Sequence, residues 1–530
     1  MNRYFSTALA AAAMAVAAVG GAASDLVILH TNDTHSLIDP DANGEGGVLQ
    51  RKALIDSVRA AEKNVLLVDA GDVVQGTLYF KFFKGDVEYP LMNMMGYDVQ
   101  ILGNHEFDNG LDELARYYRT LKADRLSANY DFSGTAAEGL FIPSTIREYD
   151  GHRVGILGIN IDPSSLIASS NYEGMKFLPV SETANAVAAD LKRQGCDMVI
   201  AVTHIGAMRD NDKEIDYDLA AASKDIDLII GGHSHTLIRP HNGTPEAPSI
   251  VRNAEGRPVM VAQTGKYGRY LGYIKIDLDK LDSATPADFD QRLIHVTDRF
   301  PAETLDAEMA AFIEPFRRQL EAVDRHVIGR ADVAMPNGLR TGAYANWSGD
   351  VATSFGTHAA DSLRAAGMEL RPVDFGMMNV GGIRHAMPEG DVTEGEILAT
   401  FPFANHFVLV DIKGADFIDA MRIAATKGGE AISDEIRVLT DGDGNLTRVL
   451  LNGVEMDPEQ HYTMSTIDYL AWGNDDFTPL AKGEIVWRDD AEVSLRILEH
   501  IAAETRKGMP LGADPRSRFL KEVVIENTAD

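Results

Sequence analysis

The stretch Gly103–Gly110 reads GNHEFDNG and directly follows the apolar run Val99–Leu102. Such a run predicts a buried strand, and α/β folds keep their chemistry in the loops at strand ends. Within the stretch, Asn104 offers an amide oxygen, His105 an imidazole, and Asp108 a carboxylate that can orient that imidazole. The stretch therefore predicts a metal ligand beside a His–Asp dyad.

A purely structural role is the alternative for this stretch. Asn104 or Asp108 can be the N-cap of a helix, and Gly103 and Gly110 are typical turn residues. On these residues alone the two interpretations are equally supported, and the rest of the chain has to decide between them.

The composition is typical of a globular protein with a large core. At 530 residues the chain is too long for one ordinary domain, and we expect two large ones. The 80 acidic and 49 basic residues give a formal net charge of −31, which repels nucleic-acid polymers and anionic lipid surfaces. An anionic small-molecule substrate would need local positive charge from metals or arginines. The sequence carries no signal for an oligomeric state.

The first residues resemble an export signal. Asn2 and Arg3 precede the alanine-rich run Ala8–Val19. Gly21 and Ala23 occupy the positions at which a signal peptidase recognises small residues. We predict cleavage after Ala23, and hence a periplasmic or secreted protein. No later run is long enough to predict a membrane span. The single cysteine of the chain cannot form an intramolecular disulfide, and we expect a buried, inert thiol.

One pattern recurs from residue 25 to about residue 280: a short apolar run ends in a polar residue that can bind a metal. Helical-period segments separate the runs, which predicts strands that alternate with helices in a layered α/β sheet with aligned strand ends. The runs are Leu26–Leu29, Val65–Val68, Val99–Leu102, Met198–Val202 and Ile226–Ile230.

The polar residues after these runs make up a set that can hold two metal ions. Two ions about 3.5–4 Å apart share a carboxylate, and Asp72 is the candidate for that bridge. Imidazole and oxygen ligands together favour Zn²⁺ or Mn²⁺. Taken one by one, Asp33 can cap a helix and His204 can be a core histidine, but five of the 15 histidines fall in these motifs. The candidate ligands are Asp33, His35, Asp72, Asn104, His204, His233 and His235.

The order of motifs DxH, GD, GNHE, THxG and GHSH resembles the calcineurin-like metallophosphoesterase superfamily, and the longer stretch Leu67–Asn129 resembles the 5′-nucleotidase family. The resemblance covers nearly the whole mature chain. It implies an N-terminal α/β/β/α sandwich at residues 24–303. It also implies a division of the ligands: Asp33, His35, Asp72 and His235 for one metal, and Asp72, Asn104, His204 and His233 for the other. Family members vary at the position of His235.

The glycine-rich segment Gln263–Gly272 lacks the context of a dinucleotide-binding loop, so we expect a turn and a strand that close the first domain. The segment Leu305–Val323 has apolar residues at intervals of three and four, which predicts a helix. Pro315 should kink or restart this helix. We expect a linker helix at residues 304–325, and a helix packed wholly inside one domain is the alternative.

New motifs appear in the predicted second domain, residues 326–530: NVGGIR, FPFANHF and DYLAWGNDDF. The glycine pair before Arg384 lets the backbone approach an anion that the guanidinium then binds. Core aromatics and a surface arginine are the alternative. The family resemblance favours a C-terminal α+β nucleotide-binding domain in which Phe403 and Tyr469 sandwich a base and Asp475 accepts ribose hydroxyls. The candidate substrate residues are Asn379, Gly382, Arg384, Phe403, Asn405, Tyr469 and Asp475.

Two segments depart from known patterns. ADSLR at Ala360–Arg364 matches the family, but the preceding segment Ala345–Phe355 does not match the family's pattern before that motif. A second phosphate-binding arginine is therefore not identified, and Arg340 is only a weak candidate. DGDGN at Asp441–Asn445 resembles the start of a calcium loop, yet Leu446 replaces the glycine that such a loop requires, and we expect a hairpin turn.

The expected function is hydrolysis of the phosphate ester of 5′-nucleotides by metal-bound water, with His105 and Asp108 stabilising the transition state. The nucleotide substrate is implied by the resemblance and not by the spacing of the motifs. Hydrolysis of UDP-sugars or 2′,3′-cyclic nucleotides is an alternative within the family. The related sulfur-oxidation hydrolases tend to lack an NHE stretch like Asn104–Glu106. A periplasmic nucleotide-binding protein without turnover is the alternative from another class.

Overall fold

The computed structural model describes residues 24–522 except 165, 210–212, 241–243, 245–246, 282–287, 301–303 and 513. The predicted leader, residues 1–23, lies outside the described residues. Within the described part of the chain, no helix is long and apolar enough to cross a bilayer.

The N-terminal domain alternates strands and helices. Its helices are α1 (Val48–Ala61), α2 (Leu78–Phe83), α3 (Glu88–Met95), α4 (Gly110–Tyr118), α5 (Val180–Arg193) and α6 (Asp216–Ala222). Its strands are β1 (Asp25–Thr31), β2 (Val65–Asp69), β3 (Val99–Ile101), β4 (Asp124–Leu126), β5 (Tyr130–Asp131), β6 (Ser144–Tyr149), β7 (His152–Asn160), β8 (Lys176–Phe177), β9 (Met198–His204), β10 (Leu228–Ile230), β11 (Ile250–Arg252), β12 (Pro258–Ala262), β13 (Tyr270–Asp277) and β14 (Asp290–His295).

Two six-stranded sheets, as far as the described residues show them, lie at the centre of this domain. One has the order β14-β13-β1-β2-β3-β4, and the other the order β11-β12-β10-β9-β7-β6. The strands β1 to β4 run parallel, as do β7, β9, β10 and β12. Parallel strands in this arrangement bring the carboxyl ends of each sheet to one edge.

Apolar side chains alternate between two layers along each strand. Leu26 and Ile28 of β1 point into the core between the sheets, where they join Ile200 of β9. Val27 and Leu29 point to the opposite face, in the core beneath the helices α1 to α4. A third core lies between the second sheet and the helices α5 and α6. Helices thus cover both outer faces, and the predicted α/β/β/α sandwich is confirmed.

The predicted strands agree with the observed strands to within a few residues, but the sheet arrangement differs from the prediction. The motifs come from two sheets and not from one edge of a single sheet: β1, β2 and β3 belong to the first, β9 and β10 to the second. The glycine-rich segment Gln263–Gly272 leads into β13 as expected, and β13 pairs antiparallel with β1.

Helix α7 (Ala307–Asp324) lies between the two domains in the chain and begins at the N-cap Asp306, whose carboxylate accepts the amide hydrogen of Met309 at 2.9 Å. It runs through Pro315 without a restart, contrary to one of the two outcomes predicted. Met309 and Ile313 pack into the core of the N-terminal domain. The helix therefore rests on the first domain, and the predicted domain boundaries stay predictions.

The C-terminal domain mixes helices with antiparallel and parallel strands, as predicted. Its helices are α8 (Ala343–Ala365), α9 (Glu394–Thr400), α10 (Gly414–Thr426), α11 (Asp468–Ala471) and α12 (Val493–Arg506). Its strands are β15 (Val327–Ala331), β16 (Phe375–Met378), β17 (Gly390–Thr393), β18 (His406–Lys413), β19 (Ala431–Ile432), β20 (Ile436–Thr440), β21 (Leu446–Leu451), β22 (Val454–Glu455), β23 (His461–Ile467), β24 (Glu484–Glu492) and β25 (Phe519–Lys521).

The central sheet of this domain has the order β19-β16-β23-β18-β24, and a second sheet has the order β22-β21-β20-β25. Asp441–Asn445 connects the antiparallel strands β20 and β21, so the predicted hairpin turn is confirmed. The carboxylate of Asp441 accepts the amide hydrogens of Asp443 and Asn445 within this turn.

Candidate active site

Most of the predicted metal ligands stand in a backbone conformation that L-residues rarely adopt. The φ angles are 50° at Asp33, 46° at His35, 55° at Asp72, 76° at His233 and 55° at His235. Non-glycine residues in the left-handed region carry strain that the surrounding fold must maintain, and such residues cluster at functional sites. The strand ends are therefore built to place these side chains and not merely to turn the chain.

Asp33, His35 and His235 form one group of possible ligands. The Nε2 atoms of the two imidazoles lie 3.0 Å apart, and Nε2 of His235 is 3.5 Å from Oδ1 of Asp33. The three donor atoms lie within 4.8 Å of one another. Two ring nitrogens and a carboxylate oxygen that converge in this way can hold one cation.

Asp72, His204 and His233 form a second group. Nε2 of His204 lies 3.1 Å from Oδ2 of Asp72, and Oδ1 of Asn104 lies 2.9 Å from Nδ1 of His233. Asp72 also belongs to a group with His35 and His105. Asp72 thus stands between the two clusters, which is the position that a bridging carboxylate requires.

The histidines of these groups have atoms left for a metal. Nδ1–H of His204 donates to the carbonyl oxygen of Ala70 at 2.7 Å, which leaves the buried Nε2 directed at the carboxylate of Asp72, 3.1 Å away, without a well-formed hydrogen bond. Buried polar atoms without partners are costly, and a second-layer carbonyl on a histidine is typical of metal sites. The residues present therefore fit divalent metal ions.

The electrostatics of the buried cluster also fit cations. Burial raises the pKa of Asp33 to about 7, although His204 opposes that shift. Burial would raise the pKa of Asp72 as well, but His204 and His105 pull it well below its usual value. The carboxylates of Asp72 and Asp33 outweigh burial and raise the pKa of His204 to about 10. Bound cations would compensate both buried carboxylates directly.

His105 and Asp108 form the predicted pair. Nδ1 of His105 lies 3.0 Å from Oδ2 of Asp108, and the amide hydrogen of His105 binds Oδ1 of Asp72 at 2.9 Å. Burial lowers the pKa of His105, but Asp108 and Asp72 outweigh burial and raise the pKa above its usual value. The imidazole is thus oriented by one carboxylate and connected through its backbone to another.

The capping alternative for GNHEFDNG does not hold. A short 3₁₀ turn covers His105–Phe107 and α4 follows. Asn104 makes no side-chain cap hydrogen bond, and the N-cap position of α4 is Asn109 and not Asp108, whose carboxylate lies at His105. The side chain of Asn104 faces His233 instead. Gly103 is required for a close approach, because a Cβ atom there would lie 2.1 Å from Oδ1 of Asp72.

Glu106 is a site residue that the sequence reasoning missed. Its buried carboxylate accepts the amide hydrogens of Asp72 at 3.0 Å, Val73 at 2.9 Å and Gly103 at 2.5 Å. These bonds tie the loop after β2 to the loop after β3. A carboxylate that acts through backbone amides leaves no spacing pattern in the sequence, and its only signal is its place between His105 and Asp108.

A cavity of about 410 Å³ lies at this site and is lined by residues of both domains. This volume suits a small-molecule ligand. His105, Asp108 and four of the metal candidates line it, whereas Asp33, His35, His204 and Gly382 do not. From the C-terminal domain it is lined by Asn379, Arg384, Phe403, Asn405, Tyr469 and Asp475.

Asp475 organises the C-terminal wall. Its carboxylate accepts hydrogen bonds from Nδ2 of Asn379 and from the hydroxyl of Tyr469, both at 2.9 Å. Gly382 keeps Asn379 in place, because a Cβ atom at residue 382 would lie 2.7 Å from Oδ1 of Asn379. That Oδ1 atom is buried without a described partner. The wall thus presents an ordered carboxylate to the cavity.

Phe403 reaches across the domain boundary. Its ring stacks on the imidazole of His105 with the centroids 5.9 Å apart, and the guanidinium of Arg384 lies 5.9 Å from the same ring. Phe403 and Tyr469 both line the cavity, where a ligand could contact both rings. The base sandwich itself stays a prediction.

The weak candidate Arg340 lies elsewhere. It forms an ion pair with the buried Glu430, with 3.2 Å between Nη1 and Oε2, and it does not line the cavity. Arg364 of the ADSLR segment is paired with Asp361 on the surface of α8. Neither arginine faces the two groups of possible metal ligands.

Two known domain families match the sequence. The family described as calcineurin-like phosphoesterase matches residues 26–237, and the family described as 5′-nucleotidase, C-terminal domain, matches residues 327–482. The chain is 29% identical over 540 residues to the probable 5′-nucleotidase of Treponema pallidum, which covers 88% of this chain and 89% of that protein.

Two further comparisons extend this result. The chain is 31% identical over 430 residues to the trifunctional nucleotide phosphoesterase protein YfkN of Bacillus subtilis; the match covers 75% of this chain but only 27% of that protein. The crystal structure of the 5′-nucleotidase precursor from Thermus thermophilus superposes with a TM-score of 0.76 at 25% identity. It covers 94% of this chain and 99% of that one.

Proposed function

The chain belongs to the 5′-nucleotidase family of calcineurin-like metallophosphoesterases, and from this premise we propose that it removes the phosphate from 5′-nucleotides with two divalent metal ions. The chain is a hydrolase of the metallophosphoesterase type by its family. The dinuclear centre, the His–Asp pair and the nucleotide substrate are the finer parts of the proposal.

In this proposal one metal is held by Asp33, His35, Asp72 and His235. The other is held by Asp72, Asn104, His204 and His233, with Asp72 shared. When bound, such ions supply an activated water as nucleophile and neutralise negative charge on the phosphoryl oxygens. Mixed imidazole and oxygen ligands favour Zn²⁺ or Mn²⁺.

The remaining chemistry falls to side chains of the chain itself. Asp108 holds Nδ1 of His105, so that Nε2 can stabilise the transferring phosphoryl group and protonate the leaving oxygen. Arg384 neutralises the phosphate from the side of the second domain. Phe403 and Tyr469 bind the base, and Asp475 accepts the ribose hydroxyls.

The observation that carries the proposal is the contact between Phe403 and His105. An aromatic ring of the C-terminal domain lies on the imidazole of the dyad in the N-terminal domain. A base-binding residue next to a phosphoryl-transfer residue fits a substrate that has both a base and a phosphate. The chain also has both residues of the His–Asp pair and all seven candidate metal ligands. A non-catalytic nucleotide-binding protein would not need them, so this set favours an enzyme.

A substrate panel tests the proposal. Purified protein loaded with Mn²⁺ or Zn²⁺ should release phosphate from nucleoside 5′-monophosphates, and metal analysis should give two ions per chain. The panel includes a UDP-sugar and a 2′,3′-cyclic nucleotide, which are the substrates of the alternatives. Nucleotide binding without any phosphate release would overturn the proposal in favour of a binding protein.

We further propose that residues 1–23 are a cleaved leader and that the protein works in the periplasm or outside the cell. The alanine-rich run and the small residues Gly21 and Ala23 support this. The mature protein isolated from its host should begin at Ser24 on N-terminal sequencing. A cytoplasmic protein that keeps Met1–Ala23 would contradict it.

A further inference from the structure

Four of the candidate metal ligands come from two loops that belong to different sheets. Asp33 and His35 follow β1 of the first sheet, whereas His233 and His235 follow β10 of the second. The donor atoms of Asp33, His35 and His235 nevertheless lie within 4.8 Å of one another. Side chains that fix the two loops to each other therefore determine the shape of this group.

Asn32 connects the first loop to the segment that follows β12. Its side chain is completely buried, and its Oδ1 atom accepts the amide and hydroxyl hydrogens of Thr264 at 2.8 and 2.7 Å. Its Nδ2 atom donates to the carbonyl oxygen of Gly265 at 2.7 Å and to Oδ2 of Asp33 at 2.5 Å. Both donors and both acceptor positions of this amide are used, so its orientation is fixed.

The bond from Asn32 makes the two oxygens of Asp33 different. Oδ2 accepts this bond, whereas Oδ1 lies 3.5 Å from Nε2 of His235 and 3.9 Å from Nε2 of His35. The backbone nitrogen of His233 lies 3.1 Å from each oxygen, so the second loop also contacts this carboxylate. Oδ1 is therefore the oxygen that faces the imidazoles, and the bond from Asn32 keeps the carboxylate in this orientation.

Gln263 connects the second loop to the same segment. Its buried Nε2 atom donates to the carbonyl oxygen of Gly232 at 2.9 Å. Its Oε1 atom accepts the amide hydrogen of Thr236 and the hydroxyl hydrogen of Ser234. These three partners alternate along the chain with the two histidines of the loop, so Gln263 holds the backbone on both sides of each histidine. Its neighbour in the chain is Thr264, the partner of the first loop.

We propose that Asn32, Gln263 and Thr264 form a clamp that positions the metal ligands of the two loops relative to each other. Asn32 determines which oxygen of Asp33 faces a metal ion, and Gln263 determines the direction of the two histidines after β10. The inference rests on the metal centre of the proposed function but not on the nucleotide substrate. None of the three residues of the clamp lines the cavity, so they act through the ligands and not on a bound substrate.

Calorimetric titration of the metal-free full chain with Mn²⁺ tests the clamp. Asn32→Ala should weaken the binding of one of the two ions about 10- to 100-fold, because Asp33 is a candidate ligand of only one of them. Gln263→Met keeps the length of the side chain but removes its hydrogen bonds. It should weaken the binding of both ions about 10- to 100-fold, because the loop after β10 carries a candidate ligand of each.

Asn253→Ala is the matched control. The side chain of Asn253 is also buried, and it binds the carbonyl oxygen of Lys224 and the amide hydrogens of Glu255 and Arg257. It precedes β12 and lies at the opposite end of that strand from Gln263. This variant should lower the melting temperature of the metal-free protein, as the clamp variants do, but it should bind both ions like the parent protein.

Two further measurements separate positioning from a general loss of stability. At saturating Mn²⁺, Asn32→Ala should regain most of its turnover with an unchanged KM for the nucleotide. Thr264→Ser keeps the hydroxyl group that binds Asn32 and should bind both ions like the parent protein, whereas Thr264→Val should weaken the same ion as Asn32→Ala does.

Parent-like affinity for both ions in Asn32→Ala and Gln263→Met, or an equal loss of affinity in Asn253→Ala, would overturn the clamp. A protein that binds two ions and loses them in the variants as described, but turns over no nucleotide, would refute the proposed function and leave the clamp standing.

Discussion

Individual side chains of the GNHEFDNG stretch have different roles in the candidate site. Asn104 faces His233 among the metal candidates, His105 pairs with Asp108, and Glu106 holds the backbone of two loops. Neighbouring residues therefore act on the metal, on the substrate and on the loop geometry. Each of these roles makes a different prediction.

His105→Ala removes the group that contacts the transferring phosphoryl. We expect kcat to fall about 100-fold or more, while the nucleotide dissociation constant changes less than about threefold. Steady-state kinetics together with calorimetry on the inactive variant measure the two quantities. Equal losses in turnover and in nucleotide binding would contradict the assigned role.

Glu106→Gln replaces an acceptor of three amide hydrogens with a group that also carries an NH₂. That NH₂ would face the amide donors of Asp72, Val73 or Gly103, so the loop with Asp72 should lose its conformation. We expect metal affinity to fall about 10- to 100-fold, measured by competition with a chromophoric chelator. Glu113→Gln, on the partly exposed face of α4, is the control. An unchanged metal affinity would show that the amides do not need the carboxylate.

The seven predicted ligands could be read from the sequence because they lie in short polar segments after five apolar runs. Glu106 could not, because it acts through backbone amides, two of which belong to residues distant in the chain. The stack of Phe403 on His105 depends on how the two domains meet. Local patterns do not encode that arrangement.

At the level of elements, periodicity predicted the strands and helices well and their assembly less well. The runs before the motifs became β1, β2, β3, β9 and β10, but they divide between two sheets. Which parallel strands pair is set by long-range packing that an apolar run does not express. Pro315 stays inside α7, whose Met309 and Ile313 are packed in the core, so tertiary contacts outweighed the local preference for a break.

The start of α3 holds a buried carboxylate that should make stability depend on pH. Glu88 is 2% exposed beside Ser36, neither oxygen makes a well-formed hydrogen bond within the described structure, and burial raises its pKa to about 7. The folded protein therefore binds this proton more tightly than the unfolded chain. This contribution to stability is complete below the unfolded pKa of 4.5 and is lost as the pH rises to about 7.

Glu88→Gln should remove this dependence. We expect the variant to be more stable than the parent at pH 8, by up to about 3 kcal/mol, and equally stable near pH 4. Urea unfolding at the two pH values measures the difference. A variant that is less stable than its parent at pH 8 would show that the ionised carboxylate has a partner that stabilises it.

At the scale of the whole molecule, the candidate site joins two sheets and two domains. The metal candidates come from both sheets of the sandwich, whereas the substrate candidates come from the second domain. Further contacts cross between the domains beside the cavity: Nζ of Lys81 donates to the carbonyl oxygen of Pro402 and to the hydroxyl of Ser494, each at 3.2 Å. Closure around a nucleotide would complete the site.

Removal of metal should therefore destabilise the first domain selectively. Ions that bind only the folded site at about 100 times their dissociation constant add about 2.7 kcal/mol to its stability. With a chelator, calorimetry should show a lower melting temperature for the N-terminal domain, a nearly unchanged C-terminal transition and no activity. Added Mn²⁺ or Zn²⁺ should reverse all three effects, and a uniform shift of both transitions would contradict this assignment.

The left-handed backbone at Asp33, His35, Asp72, His233 and His235 also limits which sequences can fold. Asn and Asp tolerate that conformation, whereas β-branched residues do not. In a library sorted for protein abundance and not for activity, we expect Asn to be retained at these positions and Val, Ile and Thr to be depleted. When a ligand is replaced during evolution, the new residue should be one that tolerates the left-handed conformation. The backbone therefore restricts evolution at these positions independently of catalysis.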